Sequence, residues 1–268
     1  MSVQSLYTAA TGMESLQTKL DVIANNLATV NTTAFKKGRT NFEDLFYRHR
    51  TLPGMQDQQQ NLTATGTSVG LGVRVQSIQT NFMQGAMTQT DRPFDLAIEG
   101  NGFFQLQDPA GNGAVYTRGG NFSVNAQSQL VVGSAQTGRL VEPAITIPQD
   151  ATGVSISADG RVQVSQAGQS QLQQVGQLQL ATFINPEGLL KQGENIYTAT
   201  DASGTATLTT AGSQGAGVIR QGFLEASNVE PVQELIDLIT TQRSFELNSQ
   251  AIQAGDQVLT LIANLRRS

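Results

Sequence analysis

The feature that most restricts the fold is a seven-residue repeat of apolar side chains at each end of the chain. In the N-terminal segment, the first row is Leu6, Met13, Leu20 and Leu27, and the second row is Ala9, Leu16, Ile23 and Val30. Together the two rows give the three-four spacing of a coiled-coil seam. The pattern predicts an amphipathic helix, and two interpretations stay open: a helix that lies on a globular core, or a helix that packs against another helix.

The C-terminal segment carries the same repeat. Its apolar row is Leu238, Phe245, Ile252 and Leu259, and its second row would hold the polar residues Gln242, Ser249 and Asp256. Polar residues in a seam lower its stability but fix its register and partner number. Pro231 stands where the helix can begin, because proline is favoured at the first helical position, and Ser227 and Asn228 before it can cap the helix.

The middle of the chain, residues 66–222, differs in kind, because its short alternating runs are bounded by turn-forming residues, as in β-strands. The predicted strands are 103–106 with 115–117, 121–124 with 130–132, 154–157 with 162–164, and a further strand at 178–183. Asp159-Gly160 between two of these runs is a strong hairpin signal, because glycine tolerates the positive φ that such a turn needs. The middle is therefore predicted to be an all-β domain.

Residues 36–65 give a less regular pattern. Phe42, Leu45 and Phe46 suggest a short helix or a hydrophobic anchor, and Pro53-Gly54 breaks it. The polar stretch 55–65 that follows is expected to be extended. We predict that residues 47–75 form an arm that reaches a neighbouring molecule, and a disordered surface loop is the alternative.

These elements predict an α+β, multi-domain fold in which N- and C-terminal α-helices form a coiled-coil domain around an all-β central domain. The helical domain is expected to take residues 1–35 and 229–268. An extended or β connecting region with the arm takes residues 36–80 and 215–228, and the all-β outer domain takes residues 81–214.

The residue inventory argues against an enzyme. The chain has no cysteine and a single histidine, His49, so neither a catalytic triad nor a metal site rich in His or Cys can be assembled from it. Its net charge of −5 argues against nucleic acid as a partner. We therefore expect no catalytic, cofactor-binding or metal-binding residue and no membrane insertion. No secretion signal is visible, which by itself would suggest the cytoplasm.

One segment is informative about family. It runs from Asp21 to Lys36 and resembles the signature of the bacterial flagellar axial family, the basal-body rod and hook proteins. The matching positions are Asn25, Asn26, Leu27, Thr32, Phe35 and Lys36. Two positions depart from the signature, Thr29 and Ala34, where the family commonly has Asn and Gly. If the glycine is there for a left-handed backbone, Ala34 would cost about 1 kcal/mol.

The resemblance extends over nearly the whole chain. It includes residues 99–104, Tyr116-Thr117-Arg118, residues 222–229 and residues 242–248. Pro53-Gly54, residues 69–74 and residues 143–148 are most similar to the members that build the distal part of the rod. The resemblance implies terminal helices that form an inner coiled-coil tube, with β domains facing outward. It also implies export without cleavage through the flagellar export apparatus, so the missing signal no longer points to the cytoplasm.

The function implied is that of a structural subunit of the distal rod, a rigid hollow shaft that self-assembles and transmits torque from motor to hook. Its implied partners are copies of itself, other rod proteins, the hook protein, the basal-body rings and the export apparatus, and its implied place is the periplasm-spanning rod. The assembly-interface residues expected are Leu6, Met13, Leu16, Leu20, Ile23, Asn25, Asn26, Leu27, Phe35, Pro53, Gly54, Leu238, Phe245, Ile252 and Leu259.

Two alternatives stay open from the residues. One is a proximal rod or hook protein of the same family. The other is a ligand-binding β domain, or an enzyme, with helical ends.

Overall fold

The computed structural model describes residues 3–54, 65–108, 113–168 and 171–265. These residues divide into two compact units. Unit 1 draws on residues 1–28, 38–80 and 230–268, and unit 2 on residues 29–37 and 81–229. Both terminal segments are helical and the centre is β-rich, as predicted. The three-part division into residue ranges stays a prediction.

Unit 1 contains helices α1, Val3–Ala28, and α2, Pro231–Leu265, which pack against each other. The pairing is antiparallel, since Gly255 lies against Leu6 while Gly12 lies against Asn248. Glycine at these positions permits close approach: a methyl group on Gly255 would overlap Leu6 Cδ2, and one on Gly12 would lie 3.2 Å from Asn248 Nδ2. Neither helix is long and apolar enough to span a membrane, within the described part of the chain.

The rest of unit 1 is an antiparallel ribbon. Its strands are β1, Gly38–Asp44, β2, Tyr47–Thr51, β3, Thr67–Gly70, and β4, Val73–Thr80. β1 pairs with β4, and β2 with β3. Two backbone hydrogen bonds join the pairs into one ribbon: Leu45 N donates to Gly72 O at 2.8 Å, and Leu71 N donates to Phe46 O at 3.1 Å. The short helix considered for Phe42–Phe46 is therefore wrong, because these residues are extended.

Unit 2 is built from short antiparallel strands around one larger sheet. The strands are β5, Met87–Gln89, β6, Leu96–Glu99, β7, Phe103–Gln107, β8, Ala114–Thr117, β9, Phe122–Val124, β10, Leu130–Val132, β11, Arg139–Leu140, β12, Ala151–Ile156, β13, Arg161–Gln166, β14, Gln173–Gln177, β15, Gln179–Thr182, β16, Leu190–Gly193, β17, Ile196–Thr198, β18, Thr207–Thr210, β19, Val218–Gln221, and β20, Phe223–Glu225. A 3-10 turn covers Pro186–Gly188. The largest sheet has the order β16-β17-β8-β7-β15-β18.

The two faces of this sheet form two apolar clusters. Neighbouring residues on β7 point to opposite faces, so Phe104 joins the larger cluster while Phe103 joins an aromatic cluster with Tyr116 and Tyr197. The hairpins predicted from the sequence are confirmed: β7 pairs with β8, β9 with β10, and β12 with β13. Gly160 in the last of these has φ +84°, as the Asp-Gly turn signal requires.

The predicted cap of α2 is wrong in part. The helix begins at Pro231 as expected. Asn228, however, is used inside unit 2, where its Oδ1 accepts from Lys37 N at 2.8 Å and its Nδ2 donates to the carbonyls of Asn81 and Met83. The Ser227 hydroxyl accepts from Val229 N. Ser227 and Asn228, which were predicted to cap α2, therefore stabilise the turn that precedes the helix.

Candidate assembly surfaces

The buried asparagine of the Asn-Asn-Leu motif fastens the end of α1 inside unit 1. Asn26 Oδ1 accepts from Gly38 N at 2.9 Å, and its Nδ2 donates to Gly38 O at 3.0 Å and to Glu234 Oε2 at 3.2 Å. The side chain thus pairs with a backbone as a strand would and also holds the first turn of α2. Asn25, beside it, is exposed, and Leu27 is half-buried.

The predicted seam residues lie on both helices of unit 1 and are mostly half-buried. This group is Leu6, Met13, Leu16, Leu20, Leu27, Leu238, Phe245, Ile252 and Leu259, and Ile23 alone of the predicted apolar contacts on α1 is buried. Such residues have surface left for a further neighbour. The pattern is that of an amphipathic helix pair whose apolar stripe is wider than one antiparallel contact covers.

The polar second row of α2 lies one residue earlier than expected at two of its three positions. Thr241 and Gly255 are buried whereas Gln242 and Asp256 are exposed, and at the third position Asn248 and Ser249 are both half-buried. The reason is size, because small residues at these positions allow α1 and α2 to approach. A search for apolar repeats by hydrophobicity alone does not detect a row of small residues.

Another apolar surface lies on the outer side of α2. Val232, Leu235, Ile236 and Ile239 occupy one side of its first turns, and each is exposed. Together with the half-buried seam, they give unit 1 two apolar surfaces that a single chain leaves open, and contiguous exposed apolar surface marks an interaction site.

The ribbon of unit 1 is exposed on both sides at its β2–β3 end. Every residue of β2 is exposed, including His49 between Arg48 and Arg50. Pro53 and Gly54 lie in the turn beyond β2 and are exposed, with Gly54 at φ +82°. The polar stretch of the arm, residues 55–64, lies outside the described residues.

Unit 2 holds residues 29–37 as a strap. Ala34 N donates to Glu225 O at 2.8 Å, and Asn195 Nδ2 donates to Thr33 O at 2.8 Å. Phe35 is buried with Lys191 Nζ 5.3 Å above its ring. Ala34 has φ +57° and is fully buried, so the position where the family has glycine is indeed left-handed.

A buried ionic cluster fastens this strap. Lys36 Nζ contacts Glu225 Oε1 at 2.6 Å, and Arg118 Nε contacts Glu225 Oε2 at 3.0 Å. Backbone groups satisfy the remaining donors and acceptors of these side chains. Gly85 N donates to Glu225 Oε1, and Lys36 Nζ donates to Met83 O. Arg118 donates to the carbonyls of residues 98, 100 and 102. A buried charge of this kind is tolerated only with such complete pairing.

The cluster shifts the pKa of its members. Burial alone would raise the pKa of Glu225, but the charges of Arg118 and Lys36 and the hydrogen bonds to the carboxylate hold that pKa below its ordinary value of 4.5. Burial is the main cause that lowers the pKa of Lys36, against the opposing effect of Glu225. The favoured state has Glu225 ionised between two cations.

Sequence reasoning missed this cluster, although a signal was present. Lys36, Arg118 and Glu225 each lie in a different segment that resembles the family, and Arg118 and Glu225 are charged residues within largely uncharged runs, whereas Lys37 and Arg39 follow Lys36. Charged residues in three separated motifs are compatible with a buried network, but their proximity cannot be derived without the fold. The structure also gives Asn26 and Phe35 roles inside the chain, so neither is carried forward as an assembly contact.

No group of three or more His, Asp or Glu side chains in the described ranges has the spacing of a metal site.

Family models match three segments of the chain. Residues 6–36 match "Flagella basal body rod protein", residues 97–164 match "Flagellar hook protein FlgE/F/G D1 domain", and residues 220–265 match "Flagellar basal body rod FlgEFG protein C-terminal". The matched segments contribute Lys36, Arg118 and Glu225 respectively, so the three meet at the buried cluster. Fold and matches together define an axial protein of the flagellar rod and hook.

Full-length relatives show which family of rod proteins the chain belongs to. The chain is 46% identical over 265 residues to the flagellar basal-body rod protein FlgG of Caulobacter vibrioides, covering 98% of this chain and 100% of that protein. It is 38% identical to FlgG of Bacillus subtilis over 268 residues, covering 99% and 100%. FlgF of Caulobacter vibrioides is 35% identical over 246 residues, covering 90% and 89%. The chain belongs to the FlgG family of flagellar basal-body rod proteins, structural subunits of the rod.

Proposed function

We propose that this chain polymerises into the distal rod, a rigid hollow shaft that transmits torque from motor to hook. The observation that carries the proposal is the state of unit 1. Its helices keep their heptad residues only half-buried and α2 leaves Val232, Leu235, Ile236 and Ile239 exposed. A helix pair with this much open apolar surface is completed by neighbouring copies, through a coiled-coil tube formed by the terminal helices.

The exposed ribbon is proposed to serve as an arm that stiffens the shaft. Bending a tube requires subunits on one side to slide closer together, and an arm that bonds to an axial neighbour opposes that sliding. The β2–β3 end of the ribbon supports this role, because its two strands pair only with each other among the described residues and carry exposed side chains. Pro53 fixes its own φ and so restricts the conformations that the turn can adopt.

Other rod proteins, the hook protein, the basal-body rings and the export apparatus are the further partners proposed. The role requires no catalysis, cofactor or resident metal. The second candidate is a different rod protein of the same family, and the 35% identity to a flagellar basal-body rod protein FlgF is the observation behind it.

Replacing Leu20 with Asp tests the assembly proposal. Leu20 is half-buried on α1, so a carboxylate there places an unpaired charge in the proposed tube. We expect loss of rods in a flagellated host whose own copy is deleted, together with loss of swimming, while the β-sheet signal of the purified chain remains. Gln17→Asp, at an exposed position on the same helix, is the matched control and should assemble. Rods of normal length from Leu20→Asp would remove the seam from the proposal.

A further inference from the structure

One aromatic side chain on the ribbon is exposed although its backbone is held in place. Phe46 is 88% exposed, and its carbonyl accepts a hydrogen bond from Leu71 N at 3.1 Å. A large apolar side chain on a fixed backbone loses little conformational freedom on binding, which is why aromatic anchors dominate protein interfaces. The two-stranded ribbon that presents it is itself only marginally stable in isolation and gains from a covering surface.

Unit 2 carries a cleft of about 510 Å³ with an aromatic floor. Phe82, Phe103 and Phe183 line it, and Phe103 meets the other two edge to face at centroid distances of 5.4 and 5.7 Å. On its rim Ile184 is 93% exposed. The cleft has room for a phenylalanine ring, and a further edge-to-face contact is the geometry that aromatic rings prefer.

The exposed charges beside the two features are opposite, since Arg118 in the lining of the cleft is buried and paired with Glu225. Arg48 and Arg50 lie on one face of β2, two and four residues after Phe46, and both are exposed. Beside the rim of the cleft, Glu187 and Asp201 are exposed on two loops that contact each other, since Asn185 Nδ2 donates to Ala202 O. Complementary charges of this kind select a partner and fix its orientation.

We propose that Phe46 of one copy inserts into the aromatic cleft of unit 2 of a second copy, with Arg48 and Arg50 facing Glu187 and Asp201. The inference rests on the proposed polymer and adds to it the surface that receives the arm. The apolar outer side of α2 is the competing receiver. The cleft is favoured because its floor offers aromatic rings for an edge-to-face contact, whereas the hollow on α2 that Ile239, Glu246 and Leu247 line has no aromatic side chain in its lining.

Cross-linking between two copies tests the contact directly. The natural chain has no cysteine, so each introduced thiol is unique. A Phe46→Cys copy and an Ile184→Cys copy, carrying tags of different size, are produced together in a flagellated host, and isolated basal bodies are treated with a short bismaleimide. We expect a mixed dimer of both tags at about ten times the yield obtained when Leu172→Cys, an exposed unit 2 position away from the cleft, replaces Ile184→Cys.

Two results would overturn the proposal. One is an equal yield with Leu172→Cys, and the other is a higher yield with Ile236→Cys on the outer side of α2. Immunodetection of both tags in the isolated basal bodies is a separate measurement, which shows whether the tagged chains are incorporated into the rod. Absence of the tagged chains from the rod would count against the proposed function itself, whereas their presence without the mixed dimer would count against the Phe46 contact alone.

A charge exchange tests the orientation. Reversing Arg48 and Arg50 to Glu should lower the yield of the mixed dimer about tenfold, and adding Glu187→Arg and Asp201→Arg in the receiving copy should restore it to within about twofold. Arg161→Glu, an exposed reversal elsewhere on unit 2, should change nothing. If the exchange fails to restore the yield, the acidic loops are not the partner of the ribbon.

Discussion

The two units of this chain bury their side chains in opposite ways. Unit 2 has a continuous core in which Phe104, Leu180 and Ile98 are fully buried, and even its ionic cluster is enclosed. Unit 1 keeps most of its apolar repeat half-buried and the β2–β3 end of its ribbon in solvent. A unit that completes its core within one chain can fold before assembly, whereas a unit with open apolar faces gains much of its stability from neighbours.

The largest expected effect in this comparison comes from breaking the ionic cluster of unit 2. Glu225→Gln keeps the size of the side chain but leaves Lys36 and Arg118 without a counter-charge. We expect a loss of about 3 kcal/mol in the free energy of unfolding of unit 2, because removing one partner of a buried ion pair leaves a buried charge unpaired. Near-ultraviolet circular dichroism measures this unit selectively, since of four tyrosines Tyr116 and Tyr197 are the buried ones.

Glu99→Gln is the control, because it breaks an exposed pair with Arg220 and should change stability by less than about 1 kcal/mol. A loss equal to that of the control would show that the cluster does not hold unit 2 together.

The same cluster predicts a dependence on pH. Because the pKa of Glu225 is lower in the folded state than its ordinary 4.5, its ionisation stabilises unit 2 above that pH. This contribution is lost as pH falls through the folded pKa, while Tyr197, whose pKa burial raises, stays neutral. Between neutral pH and the acid range below the folded pKa of Glu225, wild-type unit 2 should therefore lose more stability than Glu225→Gln does, as measured by urea unfolding at each pH. Parallel pH profiles of the two proteins would contradict the assignment.

A smaller effect is expected from closing the helix contact of unit 1. Gly255→Leu places side-chain atoms where Leu6 already lies, and overpacking of this kind costs about 1–3 kcal/mol. The better helix propensity of leucine offsets about 0.8 kcal/mol of that cost. Gly255→Leu should lower the temperature of helix unfolding, measured by circular dichroism at 222 nm. Ala254→Leu, at the exposed neighbouring position, should leave that temperature unchanged or raise it. If Gly255→Leu leaves the unfolding temperature unchanged, the two helices can separate without loss of stability.

The smallest effect is expected at Ala34. Its φ of +57° costs an alanine about 1 kcal/mol, which glycine would avoid. Glycine, however, gives up a buried methyl group worth about 0.8 kcal/mol and has more freedom in the unfolded chain. We therefore expect Ala34→Gly to change the stability of unit 2 by less than about 0.5 kcal/mol. A gain above about 1 kcal/mol would show that strain at this turn is larger than its φ suggests.

Sequence alone determined the helical ends, the strand pairs of the centre and the family. Periods of seven and of two residues are local properties, and the Asp159-Gly160 turn needs only glycine's tolerance of positive φ. The second row of α2 was predicted one residue out of place at two of its three positions, because Thr241 and Gly255 act through small size and carry no hydrophobic signal.

Tertiary structure alone decided what lies next to what. Lys36, Arg118 and Glu225 are separated by up to 189 residues, and nothing in their spacing indicates that one carboxylate neutralises two cations. Asn26 likewise was expected at the assembly interface, whereas the fold places Gly38 and Glu234 against it. Local periodicity fixes the type of each element, but charges and amides are paired across the fold, where only burial makes an unpaired group costly.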